Sequence, residues 1–266
     1  RSIVDVGKVS AGELAAADLP QKAAGKFPFT YSDDFDQCVL SSIPKYVAPM
    51  AGAFECVASK SDGNSTSASG NAGGGVVVRQ MSPAKAICDR GDVTPYAVIG
   101  DGFRTEYNVS IDVLLPTPST AVGGGGGGAF VGARTKGPVG SGVGMDGVFF
   151  AVNVTHWHMA LNISAVAGAD TIASGVLPTS LLLSTLLSTP SNKWRRLSLA
   201  VSGMSATASV DGVVVVAGVK VPAPRDHHTA MVAGFEVDLG QGGYASFGTV
   251  GYADVSFDNL SVESKK

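Results

Sequence analysis

The chain has 266 residues, of which 45% are hydrophobic and 15% are charged, so it holds enough apolar material for a sizeable core. Its formal net charge is −3 and no block of lysine or arginine occurs, which excludes an electrostatic surface for nucleic acid. No apolar run reaches the roughly 18–20 residues that a membrane-spanning helix needs. We therefore expect neither a nucleic-acid partner nor a transmembrane segment.

The chain divides into a short N-terminal segment and one large domain. Residues 1–26 are rich in alanine and lack a strand pattern, so they are predicted to be a linker or the remnant of a preceding domain. Residues 27–266 are predicted to form a single β domain. Frequent glycine, valine and serine favour strands joined by tight turns.

Strand patterns follow one another at short spacing beyond residue 52. Alternation is clearest over 107–115, and Asp211-Gly212 between two valine-containing runs predicts a two-residue hairpin turn. The six glycines at 123–128 predict a flexible turn rather than a phosphate loop, because no helix pattern follows them. About a dozen such segments without a convincing long helix predict an antiparallel sandwich. The predicted strands are 53–58, 75–81, 96–99, 107–115, 129–134, 147–152, 194–201, 205–210, 213–217, 243–248 and 253–262.

Two residue types indicate an oxidising, secretory compartment. Asparagine lies in an Asn-x-Ser/Thr acceptor sequence at five positions, which are predicted to be glycosylation sites. Three cysteines lie in the first third of the chain, and two of them are expected to pair if the compartment is oxidising. The cysteines are Cys38, Cys56 and Cys88, and the sequence does not say which two pair. The acceptor asparagines are Asn64, Asn108, Asn153, Asn162 and Asn259.

Three stretches carry a family resemblance. The first is 27–35, which reads FPFTYSDDF, followed by Gly-Ala-Phe-Glu at 52–55. The second is the tryptophan-led run 194–201 leading into the hairpin 210–214, and the third is FDNLSVE at 257–263. In this order they resemble the C-terminal lectin-like domain of galactocerebrosidases (galactosylceramidases). That resemblance implies an all-β, antiparallel, concanavalin/laminin-G-like jelly-roll sandwich whose first and last strands are neighbours.

The resemblance also implies a function. Enzymes of this family remove galactose from galactosylceramide with two glutamates on a TIM-barrel domain, and neither the barrel nor those glutamates is in this sequence. The chain is therefore expected to be a non-catalytic part of a lysosomal or secreted enzyme, with a TIM-barrel chain or domain of the same precursor as its partner and a galactolipid or glycan as its ligand. The family domain contributes a loop to the edge of the catalytic pocket; the corresponding stretch here, 165–187, is longer and differs in sequence, so that role is not assigned to it. The alternative is a free-standing carbohydrate-binding or structural extracellular glycoprotein module.

A calcium ion is the cofactor that the resemblance implies. In the family it is held partly by acidic side chains near the first and last strands, and the matching positions here are Asp34 and Asp258. The backbone carbonyl near Glu55 is expected to add a ligand, because Ca²⁺ takes several carboxylate and carbonyl oxygens.

Other chemistry finds little support in the sequence. A retaining glycosidase needs two carboxyls about 5 Å apart, and no spacing pairs two acidic residues in that way. His156 and His158 would share a face of one strand, but no third metal ligand is identifiable. No catalytic residue is therefore assigned. Trp157 and Tyr244 are predicted to contact carbohydrate, since lectin sites stack an aromatic ring on the apolar face of a sugar.

Overall fold

The computed structural model describes residues 27–59, 75–82, 84, 94–100, 102, 104–115, 127–136, 146–162, 171–186, 194–223, 229–232, 235–238 and 242–264. Over these ranges two antiparallel sheets pack face to face, so the predicted all-β sandwich is confirmed. The predicted linker 1–26 lies outside the described residues. Within them, no helix is long and apolar enough to cross a membrane.

Seventeen strands and one short helix make up the regular structure of the described residues. The helix is α1 (Thr179–Leu186). The strands are β1 (Tyr31–Asp33), β2 (Val47–Ala51), β3 (Phe54–Ala58), β4 (Val76–Gln80), β5 (Tyr96–Ile99), β6 (Tyr107–Leu114), β7 (Gly128–Lys136), β8 (Asp146–Val152), β9 (His156–Asn162), β10 (Thr171–Val176), β11 (Trp194–Ser202), β12 (Ser205–Val210), β13 (Val213–Lys220), β14 (Thr229–Val232), β15 (Phe235–Asp238), β16 (Tyr244–Val250) and β17 (Ser256–Ser264).

The strand order brings the two ends of the chain together. The first sheet runs β13-β12-β11-β6-β17-β4-β3, and β1 is added alongside β17. The second sheet runs β10-β9-β8-β7-β16-β5-β2, and β14 and β15 pair with each other. Strands next to each other in these sheets are often far apart in the sequence, as β1 and β17 are. The expectation that the first and last strands are neighbours is confirmed by this pairing.

The core lies between the two sheets and is built from alternate residues of each strand. On β6 the residues Val109, Ile111 and Val113 are fully buried, while the side chains between them face away from the core. Aromatic rings join the sheets: Phe247 of the second sheet lies 4.8 Å from Phe257 of the first, measured between ring centroids. A buried aliphatic and aromatic interior of this kind supplies most of the folding free energy.

The second sheet is buried on both faces. Phe150 belongs to the core between the sheets, whereas its neighbour Phe149 belongs to a second apolar cluster with Phe130 and Tyr96. Since adjacent residues of a strand point to opposite faces, this cluster lies on the outer side of the sheet. The outer face of the first sheet, by contrast, carries polar and charged side chains such as Ser110, Asp112 and Arg196.

One predicted disulfide and one predicted turn can be located. Cys38 is bonded to Cys56, with 6.1 Å between their Cα atoms, and the third cysteine, Cys88, lies outside the described residues. Asp211 and Gly212 have φ angles of 49° and 78°, the left-handed values that a type I′ hairpin turn requires. The predicted hairpin between β12 and β13 is therefore confirmed.

The stretch 165–187, which corresponds to a loop of the family domain, contains regular structure in its described part. Residues 171–176 form β10, which pairs with β9 at the edge of the second sheet, and 179–186 form α1. Their sequence carries little strand alternation because β10 is an edge strand with mostly exposed or half-buried residues. Leu181 of α1 packs into the core, which is why its leucine-rich run is helical rather than open.

Candidate functional site

The outer face of the first sheet carries a polar site where β1 and β17 meet. Asp33 of β1 lies opposite Leu260, and Tyr31 lies opposite Val262. The register between β17 and β6 shifts between Asp258 and Ser261, so β17 has a bulge at this point. The irregular turn of the backbone gives two adjacent residues, rather than one, access to the outer face.

Asn259 forms the bulge. Its φ of 49° lies in the left-handed region, which asparagine tolerates better than most residues. The bend allows its side-chain amide to reach β6, where Nδ2 donates to Oδ2 of Asp112 at 2.9 Å. Its backbone carbonyl accepts a hydrogen bond from Nη1 of Arg196.

Asp112, Arg196 and Asn259 form a clamp across three strands. Asp112 is 2% exposed, and its Oδ1 accepts a bond of 3.2 Å from Nη1 of Arg196. Nη2 of Arg196 donates to the hydroxyl of Ser110 at 2.7 Å. Arg196 and Asp112 are direct cross-strand partners of β11 and β6. The clamp therefore gives a buried carboxylate an ionic partner and a hydrogen bond to each of its two oxygens.

Asp258 is a carboxyl group of a different kind. Its pKa is raised to about 7, mainly by burial and also by the neighbouring carboxylates of Asp112, Asp36 and Asp34, while a backbone hydrogen bond from Asn259 opposes the rise. None of the ion pairs among the described residues includes Asp34, Asp36 or Asp258. The site thus carries negative charge beyond what its arginine neutralises.

The strand ends on the β1 side are held by short-range bonds. Oδ1 of Asp33 accepts the backbone N–H of Phe35 at 2.8 Å, and its other oxygen accepts the hydroxyl of Tyr31. Burial and the Asp33 carboxylate raise the pKa of Tyr31, so its hydroxyl stays protonated. Oδ1 of Asp34 accepts the N–H of Asp36 at 3.2 Å. These turns place the carboxylates of Asp33 and Asp34 beside the first half of β17.

A cavity of about 650 Å³ opens between these groups. It combines hydroxyls, carboxylates, an amide and one guanidinium, which are the groups that hydrogen-bond the hydroxyls of a small polar ligand. Its walls are Ser32, Asp33, Asp34, Asp112, Arg196, Asn259, Leu260 and Ser261.

The predicted metal residues are brought together in part. Asp34 and Asp258 are close enough for each charge to be felt by the other. Glu55 of β3 pairs with Arg79 of β4, and Arg79 in turn pairs with Ser256 of β17. That a backbone carbonyl near Glu55 adds a ligand stays a prediction. Among the described residues, no three His, Cys, Asp or Glu side chains are gathered tightly enough to enclose an ion.

The two predicted aromatic contacts are not part of this site. Trp157 is 9% exposed and its indole packs among core residues, 6.3 Å from the ring of Phe150. Tyr244 is half-buried against the apolar cluster on the outer side of the second sheet. The prediction for Trp157 was wrong because the alternation of β9 turns its ring inward, where Gly175 of β10 leaves room for it. Tyr244 lies on the other face of that sheet, so the two rings cannot form one platform.

The acceptor asparagines occupy different surroundings. Asn64 lies outside the described residues. Asn108 is half-buried on β6 and Asn162 ends β9. Asn153 lies in the turn after β8, where its Oδ1 accepts the N–H groups of Thr155 and His156 at 2.9 and 2.7 Å.

Asn259 does not suit the glycosylation predicted for it. The acceptor atom is Nδ2, and in the folded chain that atom donates to the buried carboxylate of Asp112. A glycan there would break the clamp and fill the cavity. The acceptor sequence gives no sign that Asn259 bonds to Asp112, because that contact depends on the register of β17 against β6.

Sequence reasoning also missed Asp112 and Arg196 as site residues. Alternation places each of them on the outer face of its own strand, opposite Ile111 and Leu197 of the core. That pattern identifies two charged residues facing away from the core. It does not indicate that β6 and β11, which are separated by about eighty residues, are neighbours in register.

Comparisons with known proteins agree with the architecture. The family model described as galactocerebrosidase, C-terminal lectin domain, matches residues 50–265. Galactocerebrosidase of Danio rerio is 27% identical over 239 residues, which is 89% of this chain and 30% of that protein. The chain therefore spans less than a third of the length of this curated relative.

Two solved structures have a distant likeness in chain trace. Carbohydrate-binding module CBM66 from Bacillus subtilis has a TM-score of 0.48 and 13% identity, covering 82% of this chain and 96% of the module. A Bacillus subtilis protein with a galectin-like fold also has a TM-score of 0.48, with 12% identity and coverage of 90% and 97%. Scores this low say nothing about a shared ligand.

The family match covers most of the chain, including the two later stretches on which the resemblance was based. Together with the paired terminal strands and the sandwich of two antiparallel sheets, it confirms that resemblance. The chain belongs to the family of galactocerebrosidase C-terminal lectin domains.

Proposed function

We propose that this chain is the non-catalytic, glycan-binding module of a galactosylceramidase-like glycoside hydrolase. In this proposal a TIM-barrel domain or chain of the same precursor performs the hydrolysis, and the lectin domain supports it and presents a galactolipid or other galactoside. The family match supports the proposal, as does the much greater length of the Danio rerio relative.

The observation that carries the proposal is the polar cavity between β1, β6, β11 and β17. Arg196 is one-third exposed, so its guanidinium can donate to a ligand while it remains bound to Asp112. The hydroxyls of Ser32 and Ser261 line the same opening. A sugar hydroxyl needs both donors and acceptors at close range, and this lining offers both.

The carboxylate of Asp112 in the cavity wall and that of Asp258, its cross-strand neighbour, support binding rather than hydrolysis. Asp112 and Asp258 are cross-strand partners, and the pKa of Asp258 is raised. The pair therefore resembles the general acid and the nucleophile of a retaining glycosidase. Both oxygens of Asp112 are occupied by Arg196 and Asn259, however, and its side chain is 3% exposed. A nucleophile must reach the reacting carbon, and this carboxylate is held away from it.

Calcium is part of the proposal. Asp34 and Asp258 would hold the ion, and Asp36 is a third carboxylate within their electrostatic reach. The donors are hard oxygens, which suit Ca²⁺, and their mutual repulsion is what a cation would relieve. When bound, the ion would neutralise the cluster and tie the β1 end to β17.

We also propose a lysosomal or secreted location. The disulfide between Cys38 and Cys56 supports an oxidising folding compartment. Asn153 supports glycosylation, since its turn is at the surface and its side-chain oxygen, rather than the acceptor nitrogen, holds the turn.

The test is glycan-array binding by the 266-residue chain, with calcium and then with chelator. Binding of galactosides that is lost on Arg196→Met but kept in Arg79→Met is the expected result. Arg79 is the matched control, because it pairs with Asp254 outside the cavity. The same protein should release no product from a fluorogenic β-galactoside. Measurable turnover would contradict the non-catalytic assignment, and equal binding by both variants would remove the cavity from it.

A further inference from the structure

An exposed aliphatic surface lies in the loop that connects β1 to β2. Within the described residues, Val39, Leu40 and Ile43 are 74%, 54% and 53% exposed. We call these three side chains the aliphatic tip. Five of the ten exposed large hydrophobic residues of the described chain fall between residues 39 and 50. Exposed apolar side chains are therefore concentrated at the tip and just after it.

The tip is held in a fixed shape. The disulfide from Cys38 to Cys56 closes its base. The N–H of Ser41 donates to the carbonyl of Cys56, and the N–H of Cys56 donates to the carbonyl of Ser42, both at 2.8 Å. Ser41 has a φ of 62°, a left-handed value that serine rarely adopts, so the surrounding bonds determine the turn. A fixed turn presents its side chains without an ordering cost on binding.

Several polar groups of the turn are paired within the protein. The carbonyl of Val39 accepts both the N–H of Ser42, at 3.1 Å, and the Ser42 hydroxyl, at 2.6 Å. Ser42 thus directs both of its donated hydrogen bonds back into the loop, and Ser41 donates to Cys56 of β3. This matters because lipid hydrocarbon offers no hydrogen-bond partner, so an unpaired peptide group is costly there. At an interface with another protein, such a group could pair with that protein's polar groups instead.

A cationic and aromatic residue pair follows the tip. Nζ of Lys45 lies 4.8 Å from the ring centroid of Tyr46, and Tyr46 is partly exposed. Tyrosine and lysine next to aliphatic residues are typical of the level at which a lipid headgroup meets the acyl chains. The ammonium is complementary to the phosphate of a phospholipid headgroup.

We propose that the aliphatic tip inserts into the surface of a phospholipid bilayer, with Lys45 and Tyr46 at headgroup level. The tip carries the hydrophobic part of the interaction and Lys45 the electrostatic part. This goes beyond the glycan-binding function and does not depend on it, since vesicles without glycolipid suffice to show it. A domain with both properties would hold its sugar ligand at the membrane surface.

The test is co-sedimentation of the 266-residue chain with two kinds of vesicle, phosphatidylcholine alone and phosphatidylcholine with phosphatidylserine. The wild type should bind both, and more strongly with phosphatidylserine. Leu40→Ser should lower the partition coefficient about tenfold. The substitution removes the exposed apolar surface of Leu40, roughly half of the side chain, which the proposal places in lipid. Val214→Ser is the matched control, because Val214 is equally exposed, at 56%, but lies on β13. Lys45→Gln should remove the increase due to phosphatidylserine and leave binding to phosphatidylcholine.

Melting curves establish that the variants fold, and Val39→Ser replaces Leu40→Ser if the latter does not. Absence of wild-type binding to both vesicles overturns the proposal, as does equal binding by the Leu40 and Val214 variants. A wild-type dimer that Leu40→Ser converts to a monomer, in the absence of lipid, would assign the tip to a second copy of the chain instead. Failure of glycan binding leaves these results unchanged, so the two proposals fail separately.

Discussion

Removal of the Asp112 carboxylate is the sharpest perturbation of the polar site. In Asp112→Ala the amide of Asn259 loses a charged acceptor, and Arg196 loses its ionic partner. A hydrogen bond to a charged group contributes about 1.5–3 kcal/mol. The ion pair contributes about 1 kcal/mol or less, because one-third of the Arg196 side chain is exposed and water solvates it.

The expected loss in the free energy of unfolding is therefore about 2–4 kcal/mol, which for a chain of this size lowers Tm by about 5–10 °C. Urea denaturation at about pH 5 isolates the clamp, because Asp258 is then protonated and its repulsion of Asp112 is absent. The control is Asp254→Ala, since Asp254 is 61% exposed in its pair with Arg79 and should cost under about 1 kcal/mol. Equal losses in the two variants would refute the clamp.

Three further predictions concern other parts of the chain. The pKa of Asp258 is raised from 3.8 to about 7, so stability should fall as pH rises between these values; Asp258→Asn should remove that fall in chelator, and a curve parallel to the wild type would contradict it. With calcium present, Asp34→Ala should lower Tm yet be nearly silent in chelator, and equal losses in differential scanning calorimetry would exclude a metal role. Peptide mass spectrometry of secreted protein should find glycan on Asn153 and none on Asn259, whereas an occupied Asn259 would show that its bond to Asp112 is absent.

Local patterning predicted much of the sandwich and little of the site. Strands such as β6 and β11 alternate clearly because one face of each is buried, and the hairpin at Asp211-Gly212 follows from turn chemistry alone. The strands β1, β2 and β10 were missed because they are short or lie at sheet edges, where few positions need to be apolar. Burial is also what reversed the prediction for Trp157.

The site depends on pairings between distant parts of the chain. The family resemblance placed Asp34 and Asp258 near each other, and the pairing of β1 with β17 accounts for this. The contact between Asp112 and Asn259 depends on a one-residue bulge, and a shift of one residue would turn either side chain to the opposite face. No periodicity in the sequence specifies such a register, so the clamp became visible only with the sheet assembled.

In the proposed function, the glycan binds in the cavity that the paired chain ends build. Amide chemical-shift mapping, with a galactoside titrated into the isotope-labelled chain in the presence of calcium, would locate the bound sugar. The expected result is a set of shifts concentrated at Ser32, Arg196, Asn259 and Ser261, which lie in the cavity wall. Shifts confined to the opposite sheet, around Tyr244, or no shifts at saturating sugar, would contradict it.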